Sequence, residues 1–326
     1  MGLNVTGETL ESFNTYFLNK DTGLIWSSLF ILPSWLEVWW QTLSSGDEET
    51  CLLSVRDDDA LIGLAPLMRR GGTICFLGNT DVCDYQDFIP VAGREEAFSR
   101  AFLKHISNKG LTRLSLAHIR PDSFVMKHLA GTARAAGHKV DITEDAVSME
   151  MPLPETWDDY LGVLDRKQRH EVRRKLRRLE EEGKVEYSYA GEPGEAGELL
   201  EIYINLFGKG NSEKAAFMTE KMAGYFRDLA SRMSAEGLLR MGRLSLDGAT
   251  TAMILCFEYG QRVYLYNSGY DPAYRAMSVG ILSKVLGIRA SIEGGNLCWD
   301  FLKGSEPYKG LMGGRPVTLY RCEINI

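Results

Sequence analysis

The sequence predicts an α/β chain made of two similar halves, and three observations carry that reading. Runs with strand-like alternation and runs with helical apolar spacing intermix along the whole chain. In the second half, three strand-like runs follow one another directly and are succeeded by a helix and two more strands. The first half shows a rougher copy of the same order, the mark of an internally duplicated unit. A junction at 149–156 holds Pro152 and Pro154 and divides the chain into domains at 1–150 and 151–326. A length of 326 residues accommodates two domains, and 44% hydrophobic with 25% charged residues is enough for a sizeable core in each.

In the first half, Trp35, Leu36, Trp39, Trp40 and Leu43 recur at helical spacing and mark a core-packing helix over 33–43. Strands at 51–55 and 61–67 flank Asp57, Asp58 and Asp59, an acidic triplet that reads as a solvated hairpin turn. A strand at 74–77 leads into the loop Asp84-Tyr85-Gln86-Asp87. A helix (95–107), a strand (113–117) and a helix (123–136) complete this half.

The second half opens on a cationic helix at 166–182 with a narrow apolar stripe of Val172, Leu176 and Leu179. Asp165 and Gln168 have the spacing of a capping box, and Gly183 suits the far end. A strand (185–189), two helices (198–207 and 219–233), strands at 238–246 and 252–259 around Asp247-Gly248, and a last strand at 317–324 frame the informative stretch. That stretch runs from Tyr264 to Lys309. It reads as a strand (262–267), a polar turn, a helix with Ile281, Val285, Ile288 and Ile292 on one face, a strand (297–302) and a polar tail. A helix opening after a strand offers unpaired N–H groups and the positive end of its dipole, a seat for phosphate.

Composition narrows the function classes. A net charge of -7 gives no global attraction to nucleic acid or anionic membrane, so a polyanion would need a local basic patch. The six cysteines form no Cys-x-x-Cys pair and lie mostly in apolar runs, as reduced thiols of a cytoplasmic protein do. The five histidines form no metal-binding motif, so no metal is expected. No membrane-spanning run is visible, and Gly2 with Thr6 matches only the minimal myristoylation pattern.

The element order, with Arg275-Ala276-Met277-Ser278-Val279-Gly280 opening the helix, resembles the GNAT acyltransferase superfamily, whose Gln/Arg-x-x-Gly-x-Gly/Ala turn binds acyl-coenzyme A. Ser278 stands where that pattern has its first glycine. The basic helix, the run Trp299 to Lys309 and the Asp84 to Asp87 loop are similar to FemAB-like tandem-GNAT proteins, especially those of bacterial cellulose biosynthesis. The resemblance implies an α/β (α+β) fold of two tandem GNAT-like domains, each a mixed, mostly antiparallel sheet flanked by helices. It also implies that the first domain has no cofactor turn of its own.

For function, the resemblance implies transfer of an acyl group from acetyl-CoA or another acyl-CoA, as co-substrate, to an amino sugar or other small amine in an inter-domain cleft. Arg275, Ala276, Met277, Ser278, Val279 and Gly280 would hold the pyrophosphate, and a backbone N–H near Asn267 or Ser268 would meet the thioester carbonyl. Asp300 or Glu306 would act as base, Tyr308 would protonate the thiolate, and Lys309 would steady a charged substrate. Asp84, Tyr85 and Asp87, with Lys167, Arg169 and Arg173, would contact substrate. Each has a plainer reading: Ser278 as a helix N-cap, Asp300 to Tyr308 as strand end and turn, Asp84 and Asp87 as caps of the helix near Arg94, the basic helix as a solvated face. Two other functions compete: peptidyl transfer from aminoacyl-tRNA, as in Fem-type enzymes, and a non-catalytic module of polysaccharide biosynthesis.

Overall fold

The computed structural model describes residues 2–210 and 212–326. The chain divides into one unit of Met1–Val147 with Val317–Ile326 and a second of Ser148–Pro316. The division falls inside a strand rather than at the expected junction, and the last strand belongs almost wholly to the first unit.

In chain order the first unit contains β1 (Leu3–Gly7), α1 (Leu10–Leu18), α2 (Pro33–Leu43), β2 (Glu48–Asp57), β3 (Ala60–Arg70), β4 (Thr73–Phe76), β5 (Ile89–Pro90), α3 (Glu95–Asn108) and β6 (Arg113–Ile119). A π-helical turn (Val125–Leu129) runs into α4 (Ala130–Ala135), and β7 (Lys139–Pro152) carries the chain onward. The second unit continues with α5 (Trp157–Val163), α6 (Arg166–Glu182), β8 (Val185–Ala190), α7 (Pro193–Gly208), α8 (Ser212–Phe217), α9 (Glu220–Ala235), β9 (Leu239–Leu246), β10 (Ala249–Tyr259) and β11 (Arg262–Tyr270). A 3-10 helix (Pro272–Met277), α10 (Val279–Glu293), β12 (Cys298–Lys303) and α11 (Pro307–Leu311) come next, and β13 (Arg315–Asn325) ends the chain.

Sequence patterning overlooked β1 and α1 for a physical reason. β1 is an edge strand with mostly exposed residues, and α1 buries only Phe13, so neither shows a clear apolar period. Thr9 and Ser12 still close a reciprocal capping box at the start of α1.

Strands of the first unit run in the order β1-β2-β3-β4-β6-β13, with β7 beyond β13 and β5 on β3. Those of the second run β8-β9-β10-β11-β12, then the Ser148–Pro152 part of β7. In each unit a meander precedes a helix, and the strand after that helix returns parallel, β6 to β4 and β12 to β11. The other registered pairs are antiparallel. The fold is thus mixed α/β, with mostly antiparallel sheet flanked by helices.

The duplication extends to a backbone irregularity. β6 breaks register against β13 around His118, and β12 breaks register against β7 around Leu302. Both residues adopt left-handed conformations, φ 52° at His118 and φ 59° at Leu302. Each amide in turn donates to a carboxylate, His118 N–H to Asp145 at 3.2 Å and Leu302 N–H to Asp300 at 2.8 Å. A bulge of this kind bends a strand and re-aims the residues beyond it.

Candidate active site

The site elements of the second unit start from a bulge in β11. Leu255 of β10 faces Asn267 while Cys256 faces Leu265, so Tyr266 is the extra residue. Its ring packs on Phe226 and Phe257, at centroid distances of 5.8 and 5.3 Å. β11 pairs with β12 only at Arg262, Val263 and Tyr264, against Cys298, Trp299 and Asp300. Beyond that point β11 leans on α7: a Cβ on Gly269 would come within 2.5 Å of the Phe207 backbone nitrogen. Only glycine permits so close a backbone approach. Two parallel strands that part in this way leave the end of β11 open on the side facing β12. The Ser268 amide expected there for a carbonyl is engaged, because its N–H donates to the Asn267 Oδ1 at 2.8 Å.

From β11 the chain enters the 3-10 helix, with Asp271 accepting from the Ala273 N–H at 3.0 Å. Ser278 then adopts φ 59°, ψ 29° and passes into α10. It occupies the N-cap, but its side chain makes no capping bond. Its carbonyl accepts from Ile281 and Leu282, each at 3.0 Å. Among the described residues, the N–H groups of Val279 and Gly280 meet no acceptor. Gly280 is a necessity of packing, since a Cβ there would lie 2.9 Å from Cδ1 of Tyr270. Serine at Ser278 retains the left-handed turn at a cost of about 1–2 kcal/mol. Ser278→Gly should therefore stabilise the protein by about 1 kcal/mol after the extra unfolded-state entropy of glycine is deducted, a gain measurable by urea unfolding.

The polar tail is rigidly held. Asp300 is fully buried; its Oδ2 lies 3.0 Å from Nη1 of Arg262 and its Oδ1 accepts from Leu302. Arg262 also reaches Glu150 at 2.7 Å. Burial alone would lower the Arg262 pKa, but Asp300 foremost, with Cys298, Tyr264 and Glu150, holds the guanidinium charged. Asp300 thus faces a permanent cation and is structurally committed, which removes it as an open base.

Lys309 is 2% exposed, and its ammonium donates to the carbonyls of Leu302 (3.2 Å), Lys303 (2.7 Å) and Gly304 (3.1 Å). It also lies 2.9 Å from Oε2 of Glu306. Three donors are all an ammonium has, so the expected contact with a charged substrate is replaced by a clamp on the strand end. Glu306 is exposed at the start of α11. Tyr308 is half-buried, and burial first, then Glu306, pushes its phenol well above the usual tyrosine range. Its hydroxyl therefore stays protonated across the working pH range.

One charged residue of this neighbourhood went unread in the sequence. Lys284 is buried on α10, donates to the Gly280 carbonyl at 2.8 Å and lies 5.3 Å from the Tyr308 ring centroid. It links the start of α10 to the tail. A lysine amid the apolar residues Ile281, Leu282, Val285 and Leu286 in the first half of the helix is the signal. α10 is buried on nearly all sides, including Leu282, Ser283 and Gly287 outside the expected stripe.

α6 packs beside this region. Leu179 shares a core cluster with Leu244, Leu246, Ala252, Val279 and Leu282, against which Leu176, Tyr274 and Met277 pack. Asp165 caps α6 by accepting from the Gln168 N–H at 2.8 Å. Gly183 ends the helix in extended backbone rather than the expected left-handed turn. A Cβ there would meet the Asp247 carboxylate, 2.4 Å from its Oδ2, and that side chain accepts from the Lys184 N–H at 2.8 Å. Lys167 and Arg173 are exposed, while Arg169 donates to the Leu164 carbonyl at 3.2 Å.

The Asp84 to Asp87 loop lies in the first unit and is buried throughout. Tyr85 packs edge-on to Phe30 and under Arg120. Asp87 accepts from the amides of Phe124 (2.7 Å), Phe88 (3.0 Å) and Val125 (3.3 Å). It caps the helical segment that begins at Val125, not the helix after Arg94, and is sealed from any substrate. Burial outweighs those three donors and pushes its carboxyl up to about 7. Between the ordinary aspartate range and about pH 7, the folded state keeps a proton that the unfolded chain has released. Stability therefore falls as pH rises through that window, by at most about 1.4 kcal/mol per unit. Asp87→Asn should flatten that slope in urea unfolding followed from pH 4.5 to 7.5.

Parted parallel strands, a left-handed residue opening a helix after them and a half-buried phenol nearby are the features that single out this part of the second unit. Residues 166–310 match the family model of the acetyltransferase (GNAT) domain. No curated protein matches the chain. Among solved structures the fold is similar to FemX, at 13% identity and TM-score 0.66 over 98% of this chain and 96% of that one. It is also similar to a conserved protein of unknown function from Bacteroides thetaiotaomicron, at 12% identity and TM-score 0.62 over 100% of both chains. A tandem GNAT protein from the clavulanic acid biosynthesis pathway shares the fold at 10% identity and TM-score 0.52, with 98% of each chain covered. Among the described residues, no helix is long and apolar enough to cross a membrane, and no cluster of His, Cys, Asp or Glu is placed to hold a metal.

Proposed function

We propose that the second unit transfers an acyl group from acyl-CoA, acetyl-CoA in the simplest case, to the amine of a small molecule such as an amino sugar. The observation that carries this reading is the parting of β11 from β12 after Tyr264, followed by the turn into α10, inside the segment matched to the acetyltransferase domain. The residues present fit the donor. The Val279 and Gly280 amides lie at the positive end of α10, Gly280 leaves the backbone bare, and exposed Arg275 adds a charge beside Ala276 and Met277.

Bound acyl-CoA supplies the activated thioester. The chain supplies the rest. Tyr308 holds a proton that a departing thiolate can take, and Lys284 fixes its ring beside α10. Glu306, exposed at the start of α11, can accept a proton from the incoming ammonium through water. Asn267 shapes the end of β11. Asp300 and Lys309 act as positioning residues that hold the strand end from which Glu306 and Tyr308 project. The likeness of Trp299 to Lys309 to proteins of cellulose biosynthesis supports an amino sugar as acceptor and a cytoplasmic reaction.

A second reading, with aminoacyl-tRNA as donor, draws on the cationic start of α6. It requires tRNA binding with a steep salt dependence that Arg173→Ala and Arg174→Ala together reduce, and a flat salt response removes it. The first reading is tested by titration calorimetry with acetyl-CoA and longer acyl-CoAs, and by mass-spectrometric detection of acylated amines. Absence of binding by all donors overturns it. Tyr308→Phe should lower kcat by about 100-fold with the KM for acetyl-CoA unchanged.

A further inference from the structure

α6 is charged against its own dipole. Its first turn holds no acidic residue and its last turn no basic one. Arg166, Lys167, Arg169, Arg173 and Arg174 crowd the positive end, and Glu180, Glu181 and Glu182 close the negative end. Each such placement works against helix stability. Helices gain from the opposite arrangement, and the Asp165 N-cap sets one carboxylate against these cations, so the pattern calls for a further anionic partner at the cationic end.

The charges are also unequally used. Arg174 is bound by Glu171 at 2.9 Å, and Arg177 lies 3.6 Å from Glu181. Arg166, Lys167 and Arg173 are exposed and have no ion pair among the described residues. The Nε of Arg169 is buried without a hydrogen-bond partner there. These side chains, with His170 and Glu171, line an open concavity of ≈ 650 Å³. The other half of the helix is pinned beside the start of α10 through Leu176 and Leu179. At 1.5 Å per residue, Lys167 lies about 14 Å along the axis from Leu176, a span that a substrate-sized molecule can bridge.

We propose that the first half of α6 is a binding site for a phosphate or pyrophosphate group, held by Arg166, Lys167, Arg169 and Arg173. Guanidinium forks suit phosphate oxygens, and an anion there would relieve both the mutual repulsion of these charges and their conflict with the dipole. The binding stands on this geometry alone; its service to acyl transfer rests on the reading above. The phosphate can come from two sources, the acceptor or the ribose phosphate of the donor.

The test compares the full-length protein with the triple variant Arg166→Gln, Lys167→Gln, Arg173→Gln in thermal unfolding. Sodium pyrophosphate is the probe, against sodium chloride at matched ionic strength. Without pyrophosphate the variant should melt about 2 °C higher, because removing the charges relieves the dipole conflict. Pyrophosphate should raise the melting temperature of the parent by about 2 °C or more, and the triple substitution should remove most of that rise. A parent that does not respond overturns the proposal. So does binding of tRNA, lost in the variant, when pyrophosphate has no effect, an outcome that assigns the helix to RNA.

Calorimetry then separates the sources. If the variant loses affinity for CoA but not for 3′-dephospho-CoA, the group belongs to the donor. If both affinities are unchanged while the pyrophosphate effect is lost, it belongs to the acceptor. Failure of either protein to bind any acyl-CoA, with the pyrophosphate arm intact, would sink the acyl-transfer reading and leave this site standing.

Discussion

Gly280→Val should abolish acetyl-CoA binding, lowering affinity by at least about 100-fold, or about 2.7 kcal/mol. The Cβ alone would lie 2.9 Å from Cδ1 of Tyr270 and 3.2 Å from its Cγ. Those atoms sit close to the backbone of β11, so the ring cannot yield by swinging its far end. Either Tyr270 is expelled or α10 backs away, and both move the amides of Val279 and Gly280 from the end of β11. Valine's γ-methyls would also stand where a phosphate must approach the helix start. Calorimetry reads the loss directly, and circular dichroism of the same sample checks that the fold persists. Binding that survives within about threefold would remove the start of α10 from the donor site, whatever happens to turnover.

The second unit was more legible in the sequence than the first. Its strands bury one face or both, so β9, β10 and β11 betray themselves by apolar runs, and Pro272 and Gly280 punctuate the turn. β1 exposes most of its residues and gave no such signal. The strand, helix and strand of Tyr264 to Lys309 were readable, but the employment of their charged groups was not. Asp300, Lys309 and Asp87 look in sequence like free functional groups. In the fold they are buried and spent on Arg262, on the carbonyls ending β12 and on the amides around Phe124. A one-dimensional pattern identifies a residue's chemistry, not the competing partners that burial forces on it. Lys284 shows the converse, a side chain that no sequence motif singles out and that the fold sets against Gly280 and Tyr308.

Lys309→Met should destabilise the protein by about 3 kcal/mol, while Glu306→Gln changes stability by less than about 0.5 kcal/mol. The two residues form one ion pair, yet their surroundings differ. Glu306 is 55% exposed on its side chain, where water replaces a lost partner at little cost. The Lys309 ammonium is enclosed, and methionine would keep its stem in place while stripping donors from Leu302, Lys303 and Gly304. Those carbonyls converge only because Leu302 holds φ 59° and Gly304 φ 110°, a conformation leucine resists unless its surroundings enforce it. Without the clamp, Leu302 gains by returning to extended backbone, which would draw Asp300 away from its amide and loosen the grip on Arg262. Urea unfolding of the two variants measures the difference. If Lys309 instead served as a substrate contact, Lys309→Met would leave stability near the parent's and raise KM for the acceptor. The clamp account requires the stability loss, with kcat falling in step as Tyr308 and Glu306 lose the strand end that positions them.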